Sequence, residues 1–145
     1  MKGLLKNCEW SRVSNAVAAG TSEIDSSSVD MSNAEGVVFA VHFGTITAGA
    51  ATSIKVQGST DNSSFTDLEG TSITIADTDD NKIALTEVVN PQYRYLRCVV
   101  LRATQNAVVD SISALKHGLR HKPATQPSTV QASYETAAGP AAGTA

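Results

Sequence analysis

The densest group of side chains able to bind a partner lies between residues 116 and 122. Its members are Lys116, His117, Arg120, His121 and Lys122. They include two of the three histidines of the chain. One interpretation is a solvated hinge. The other, which we carry forward as the prediction, is a basic collar that docks on an acidic protein surface, because complementary charges orient an encounter. Tyr134, the single aromatic residue of the segment that follows, completes the predicted partner-binding set.

The sequence contains no complete residue pattern for catalysis or metal binding. Residues 77–81 begin like a calcium loop, but Lys82 occupies the position that needs glycine and Val88 the position that needs a bidentate glutamate. His42 alternates with apolar neighbours and is typical of a structural strand residue. No phosphate-binding glycine loop, nucleophile elbow or zinc-protease motif occurs. We therefore expect no catalytic residue, no metal, no cofactor and no enzyme activity.

The amino-acid composition indicates the number of domains, the type of secondary structure and the kind of partner. A chain of 145 residues is enough for one domain with one core. Only 5% of the residues are aromatic and 17% are charged, a profile typical of short strands joined by polar turns. The formal net charge is −3, and no basic stripe is present to neutralise phosphates. We do not expect nucleic acid as a partner.

The sequence carries no apolar stretch approaching the roughly 20 residues that cross a bilayer. Residues 1–6 contain two consecutive apolar residues, too few for the apolar region of an export signal. We expect a soluble protein, made in the cytoplasm and without a membrane partner. Cys8 and Cys98 lie far apart in the sequence, and Cys98 falls in an apolar run, so we expect a buried thiol and no disulfide.

The clearest strand in the sequence is 37–43. Its apolar residues alternate with a second set at the period of a pleated strand, and the predicted inward set is Val37, Phe39, Val41 and Phe43. Residues 52–58 follow, with Ile54 and Val56 predicted inward. The turn-forming residues between these strands favour an antiparallel pair.

Residues 93–103 form the longest predicted strand, and both of its faces carry apolar bulk. Such a strand either lies at the centre of two layers or is covered by a neighbouring subunit. The other predicted strands are 16–19, 22–25, 65–68, 72–76, 82–89 and 107–116.

Many short strands separated by turns predict an all-β fold, a single β-sandwich or jelly roll of about eight antiparallel strands. The predicted organisation is an N-terminal arm over 1–12, a β-sandwich domain over 13–117 and an extended C-terminal arm over 118–145. The arm follows from composition, since beyond Pro123 the chain holds one charged residue, Glu135, and little that could form a core.

The segments 20–25, 37–43, 54–59 and 65–71 resemble small jelly-roll proteins of tailed bacteriophages, several of which are capsid decoration, or cement, proteins. The resemblance covers residues 13–117 and rests on pattern. It implies a structural virion protein on the outer capsid surface that bridges neighbouring copies of the major capsid protein. It also implies a homo-oligomer, with a trimer favoured over a dimer, and it supplies no catalytic residues.

Two other functions stay open. One is a carbohydrate-binding or adhesion module of a phage head fibre or tail. The low aromatic content and the position of the single tryptophan, Trp10, outside the predicted sandwich count against it. The other is a head-tail joining or tail structural protein.

Overall fold

The computed structural model describes residues 3–137, 139 and 141–143. Residues 1, 2, 138, 140, 144 and 145, which belong to the two predicted arms, lie outside this range. The described chain is all-β, as predicted, with two antiparallel sheets packed together and a 3₁₀ turn at Leu4–Lys6. None of the described residues forms a helix with the length and apolar character needed to span a bilayer.

The described residues form eleven strands, more than the eight or so expected, and two of them, at Glu9–Ser14 and Val29–Asp30, were not predicted. In chain order they are β1 (Glu9–Ser14), β2 (Val17–Gly20), β3 (Ile24–Asp25), β4 (Val29–Asp30), β5 (Gly36–Ile46), β6 (Ala51–Ser59), β7 (Thr66–Asp67), β8 (Ile73–Ile75), β9 (Ile83–Val89), β10 (Tyr95–Ala103) and β11 (Ala107–His117).

One sheet has five strands, in the order β1-β11-β5-β9, with β2 also paired to β11. The other has six, in the order β3-β10-β6-β7, with β4 paired to β10 and β8 to β6. Every pairing is antiparallel. Strand β10, which carries apolar residues on both faces, is an interior strand of its sheet, between β6 on one side and β3 and β4 on the other.

The core lies between the two sheets and is built from the predicted inward residues. On β5 these are Val37, Phe39, Val41 and Phe43, all at most 2% exposed. Ile54 and Val56 on β6 and Cys98 on β10 are fully buried. Both cysteines are free, and burial raises the pKa of the Cys98 thiol to about 12. The periodicity therefore identified the buried faces of β5 and β6 correctly.

The predicted pairing of β5 with β6 is wrong. Strand β5 pairs with β9 and β11, whereas β6 pairs with β10, β7 and β8, so the connection at residues 47–50 crosses from one sheet to the other. Two strands that each have one buried face show the same alternation of apolar residues whether they pair side by side in one sheet or pack face to face in two sheets. The alternation of apolar residues does not distinguish the two arrangements.

The predicted N-terminal arm, 1–12, needs correction at its end. Glu9 to Arg12 belong to β1 and pair with β11, so the sandwich begins before residue 13. Ser11 and Val13 face inward and are buried, while Trp10 and Arg12 are exposed. The alternation of apolar residues is weak in this segment because one of the two inward residues is a serine.

A buried arginine joins the two sheets at one end of the sandwich. Arg102 on β10 is 7% exposed. Its Nε donates to the carbonyl oxygen of Ser22 (2.7 Å), and its Nη1 donates to those of Ala18 (2.9 Å) and Ala107 (2.7 Å). Ala18 and Ala107 belong to the opposite sheet. Burial lowers the pKa of Arg102 from its ordinary value, but an arginine stays charged in a protein, so these carbonyls solvate a cation.

We expect Arg102→Ala to lower the free energy of unfolding by about 3 kcal/mol or more, because hydrogen bonds from a charged donor contribute about 1.5–3 kcal/mol each. Urea unfolding followed by circular dichroism measures the loss. The matched control is Arg94→Ala, which removes an arginine that pairs with Asp30 at the exposed surface and should cost much less. Equal losses for the two variants would contradict the role assigned to Arg102.

Candidate interaction surfaces

The structure divides the predicted basic collar into two parts. Lys116 and His117, the last residues of β11, are held by acids. Lys116 Nζ lies 3.0 Å from Glu9 Oε1 and also donates to the Asp30 carbonyl oxygen at 3.3 Å. His117 Nε2 lies 2.8 Å from Glu87 Oε1, within ion-pair distance, although the contact lacks good hydrogen-bond geometry. These two residues hold strands together and are poorly placed to meet a partner.

The remaining three residues, Arg120, His121 and Lys122, are exposed. Their side chains make no hydrogen bond or ion pair with the described part of the chain. The loop that carries them is fixed by its backbone, because the N–H groups of Arg120 and His121 donate to Asn33 (3.1 Å each). We call these three residues the basic loop. Its charges are presented to solvent from a fixed position.

Arg94 lies close to the basic loop, and the sequence analysis missed it. Arg94 and Arg120 line one shallow depression of about 420 Å³. Arg94 donates to Asp30 (2.8 Å), and its guanidinium lies 5.0 Å from the centre of the Tyr95 ring. The Arg94 side chain holds the pKa of the Asp30 carboxyl well below its usual range. No sequence signal marked this residue, since its proximity to Arg120 is a product of the fold.

The start of the C-terminal arm is docked on the domain through Gln126, which is 8% exposed. Gln126 Oε1 accepts from the N–H of Trp10 (3.2 Å), and Nε2 donates to the carbonyl oxygens of Leu5 (2.7 Å) and Cys8 (2.8 Å). One amide side chain thereby satisfies three backbone groups of the β1 edge and the segment before it. The predicted arm of 118–145 is thus docked on the domain as far as this anchor, and residues 128–130 form a turn just after it.

Beyond Pro127 the described residues form no strand, and most are exposed. Tyr134, predicted to bind a partner, is 56% exposed. Among the described residues its ring makes no cation–π contact with any of the predicted cationic residues.

Strand β9 is a bare sheet edge. The edge strands of the six-stranded sheet, β3, β4, β7 and β8, are two or three residues long. The β1 edge is partly covered, because the Trp10 N–H donates to Gln126 (3.2 Å) and the Val13 carbonyl oxygen accepts from the N–H of Ser27 (2.8 Å). Strand β9 has seven residues, and among the described strands it pairs with β5 alone. A long unprotected edge is a template for another strand.

The hydrogen-bond pattern shows which groups of β9 point outward. Phe43 N–H donates to the Lys82 carbonyl oxygen (3.0 Å), and Asn90 N–H donates to that of Glu35 (2.6 Å). Since hydrogen-bonded pairs alternate in an antiparallel ladder, even-numbered residues bond to β5. The odd-numbered residues direct both backbone groups to the free edge.

The same odd-numbered residues carry the exposed side chains of β9. Ile83, Leu85 and Val89 are 57%, 60% and 57% exposed, whereas Ala84 and Thr86 are buried. Beside them, a cleft of about 310 Å³ opens between β8 and β9. Its apolar lining is Phe43, Ile73, Ile75, Ile83, Ala84 and Leu85. The β9 edge thus combines unpaired backbone groups with apolar surface.

Trp10 lies inside the sandwich domain, on β1, and not outside it as predicted. Its side chain is 41% exposed at a shallow depression of about 310 Å³. Arg12, Asp110, Ser113 and Gln131 share this depression. An exposed indole ring surrounded by polar groups has the chemistry of a sugar-binding platform.

No three histidine, cysteine, aspartate or glutamate side chains of the described chain are grouped to hold a metal ion. No protein-family model matches the sequence, and no curated protein matches it either.

Replacing Gln126 by alanine should detach the arm from β1 and lower the free energy of unfolding by about 2 kcal/mol, because buried backbone groups lose their partner. Trp10 is the single tryptophan of the chain, so its fluorescence reports on this edge directly. We expect a red-shifted emission and faster proteolysis after residue 118. Thr125→Ala, at the exposed neighbouring position, is the control. Unchanged emission in the Gln126 variant would contradict the anchor.

Proposed function

We propose that this chain is a structural assembly protein, of the capsid-decoration kind implied by its resemblance to phage jelly-roll proteins. In this proposal it binds the outer surface of a capsid as a homo-oligomer and bridges neighbouring copies of the major capsid protein. The observation that carries the proposal is the bare β9 edge.

A bare apolar edge favours an assembly role on energetic grounds. Each outward residue of β9 leaves an N–H and a C=O without a protein partner, and Ile83, Leu85 and Val89 add exposed apolar area. A strand added by another chain would satisfy the backbone groups and bury that area together. Proteins that act alone avoid such edges because they invite uncontrolled association.

The basic loop supplies the charge for docking in this proposal. The whole chain has a net charge of −3, so an acidic capsid repels most of its surface. Arg120 and Lys122, whose side chains are exposed and not paired with acids of the described chain, form a local exception. The basic loop is attracted to the acidic shell while the rest of the protein surface is repelled. This difference orients the protein on the shell and gives it a single docking face.

Charge reversal at the basic loop tests the capsid proposal. Arg120→Glu should weaken cosedimentation with empty capsids by about tenfold at low salt, because two units of charge change at a docking contact. The difference in capsid binding between this variant and the unchanged protein should become smaller at high salt, because salt screens the interaction between the charges.

The matched control is Arg12→Glu, which makes the same charge change at an exposed arginine on β1. It should bind capsids like the unchanged protein. If both variants bind equally well, the basic loop is not the docking face. If the unchanged protein itself does not pellet with capsids, the capsid proposal fails.

The depression at Trp10 favours carbohydrate binding as a second candidate function. The position of Trp10 on β1 removes the argument that it lies outside the sandwich, and Asp110 and Gln131 could bind sugar hydroxyl groups beside the ring. In this case a glycan array should give hits that disappear with Trp10→Ala and persist with Leu4→Ala, a change at another exposed apolar residue. An array without hits would exclude this function.

A further inference from the structure

We propose that residues 129–136 of one copy of this chain add as a strand to the β9 edge of a second copy, so that copies associate head to tail. This inference rests on the proposed assembly function and specifies how the homo-oligomer forms. It unites two parts of the molecule that are unpaired in the single chain: an edge without a strand and a strand-like segment without a sheet.

The segment has the pattern of a strand. Val130, Ala132 and Tyr134 alternate with Gln131, Ser133 and Glu135, the period of two that a pleated strand requires. In the structure this segment pairs with no described strand, and Val130 and Tyr134 are 44% and 56% exposed. A sequence that alternates in this way is suited to lie between an apolar surface and water.

The β9 edge offers what such a segment lacks. Residues Ile83, Leu85, Glu87 and Val89 direct their backbone groups outward, and the cleft between β8 and β9 lies alongside. In strand addition the main chain supplies the hydrogen bonds, and pockets select alternate side chains. Here Tyr134 or Val130 enters the apolar cleft, while Gln131, Ser133 and Glu135 face water.

The position of the arm favours a second copy as its acceptor. Gln126 anchors the arm at β1, which is the opposite edge of the sheet from β9. Three strand spacings separate these edges, about 14 Å in all. Farther along, Val130 and Gln131 lie beside Arg12, and Thr136 lies next to Gly3, so the segment stays on the β1 side. Its own β9 is thus the more distant acceptor.

Head-to-tail contacts join different surfaces on the two copies, and they give a closed ring when the rotation between copies closes. A ring of three would agree with the trimer that we expected from the phage resemblance. Each copy would then donate one arm and accept one.

The oligomeric state without capsids tests the inference. Light scattering after size-exclusion chromatography should give a trimer for the full chain of 15.1 kDa subunits and a monomer for a version truncated after Pro127. The truncation keeps Gln126, so the β1 edge stays covered. Leu85→Lys should also give monomers, whereas Leu4→Lys, which alters another exposed apolar residue, should not. A monomeric full chain, or an oligomer that survives truncation or Leu85→Lys, would overturn the inference.

Disulfide trapping identifies the donor of the strand. A Leu85→Cys protein mixed with an Ala132→Cys protein should form a cross-linked pair, because the two cysteines are then on different copies. The native Cys8 and Cys98 are buried, and burial raises the pKa of both thiols, so they contribute little background. A control protein carries both Leu85→Cys and Ala132→Cys in one chain. If its disulfide forms only within single chains, the arm adds to the β9 edge of its own chain, and the inference is overturned.

This test is separate from that of the proposed function. Oligomerisation is measured by light scattering in the absence of capsids, and capsid binding is measured by cosedimentation. Monomers that still bind capsids would refute arm exchange alone, whereas arm-exchanged oligomers that do not bind capsids would refute the capsid proposal alone.

Discussion

The fold depends on how the backbone hydrogen-bonding groups at its sheet edges are satisfied. A sandwich of two open sheets exposes a row of N–H and C=O groups at every edge. Here the six-stranded sheet ends in very short strands, and Gln126 binds the Trp10 N–H on the β1 edge and the carbonyl oxygens of Leu5 and Cys8 in the segment before it. Strand β9 is left uncovered along seven residues, and this asymmetry favours assembly through β9.

The interior and the exposed edge have different roles. Arg102 and the apolar residues between the sheets hold β10 against the opposite sheet. The free edge of β9 takes no part in these contacts. The outward residues of β9 contribute little to that core, since Leu85 is 60% exposed. A surface that the fold does not need for its own stability is available for a partner.

The sequence predicted the parts of the structure that depend on local periodicity. The buried faces of β5 and β6 follow from alternation and were correct. Strand partners were not predictable, because a period of two gives the face of a strand and not its neighbour. The contacts of Lys116 with Glu9 and of His117 with Glu87 could not be predicted, because both glutamates lie far away in sequence. Gln126 gave no signal, since its partners lie more than a hundred residues away.

Amide hydrogen exchange of β9, resolved by residue, tests the central claim most directly. In the arm-truncated monomer the N–H groups of Leu85 and Glu87 should exchange quickly, while that of Thr86, which bonds to β5, should be protected. In the assembled protein Leu85 and Glu87 should become protected and Thr86 should change little. If Leu85 and Glu87 exchange equally fast in both forms, β9 receives no strand, and the account of this protein as an assembly module built around a bare edge is contradicted.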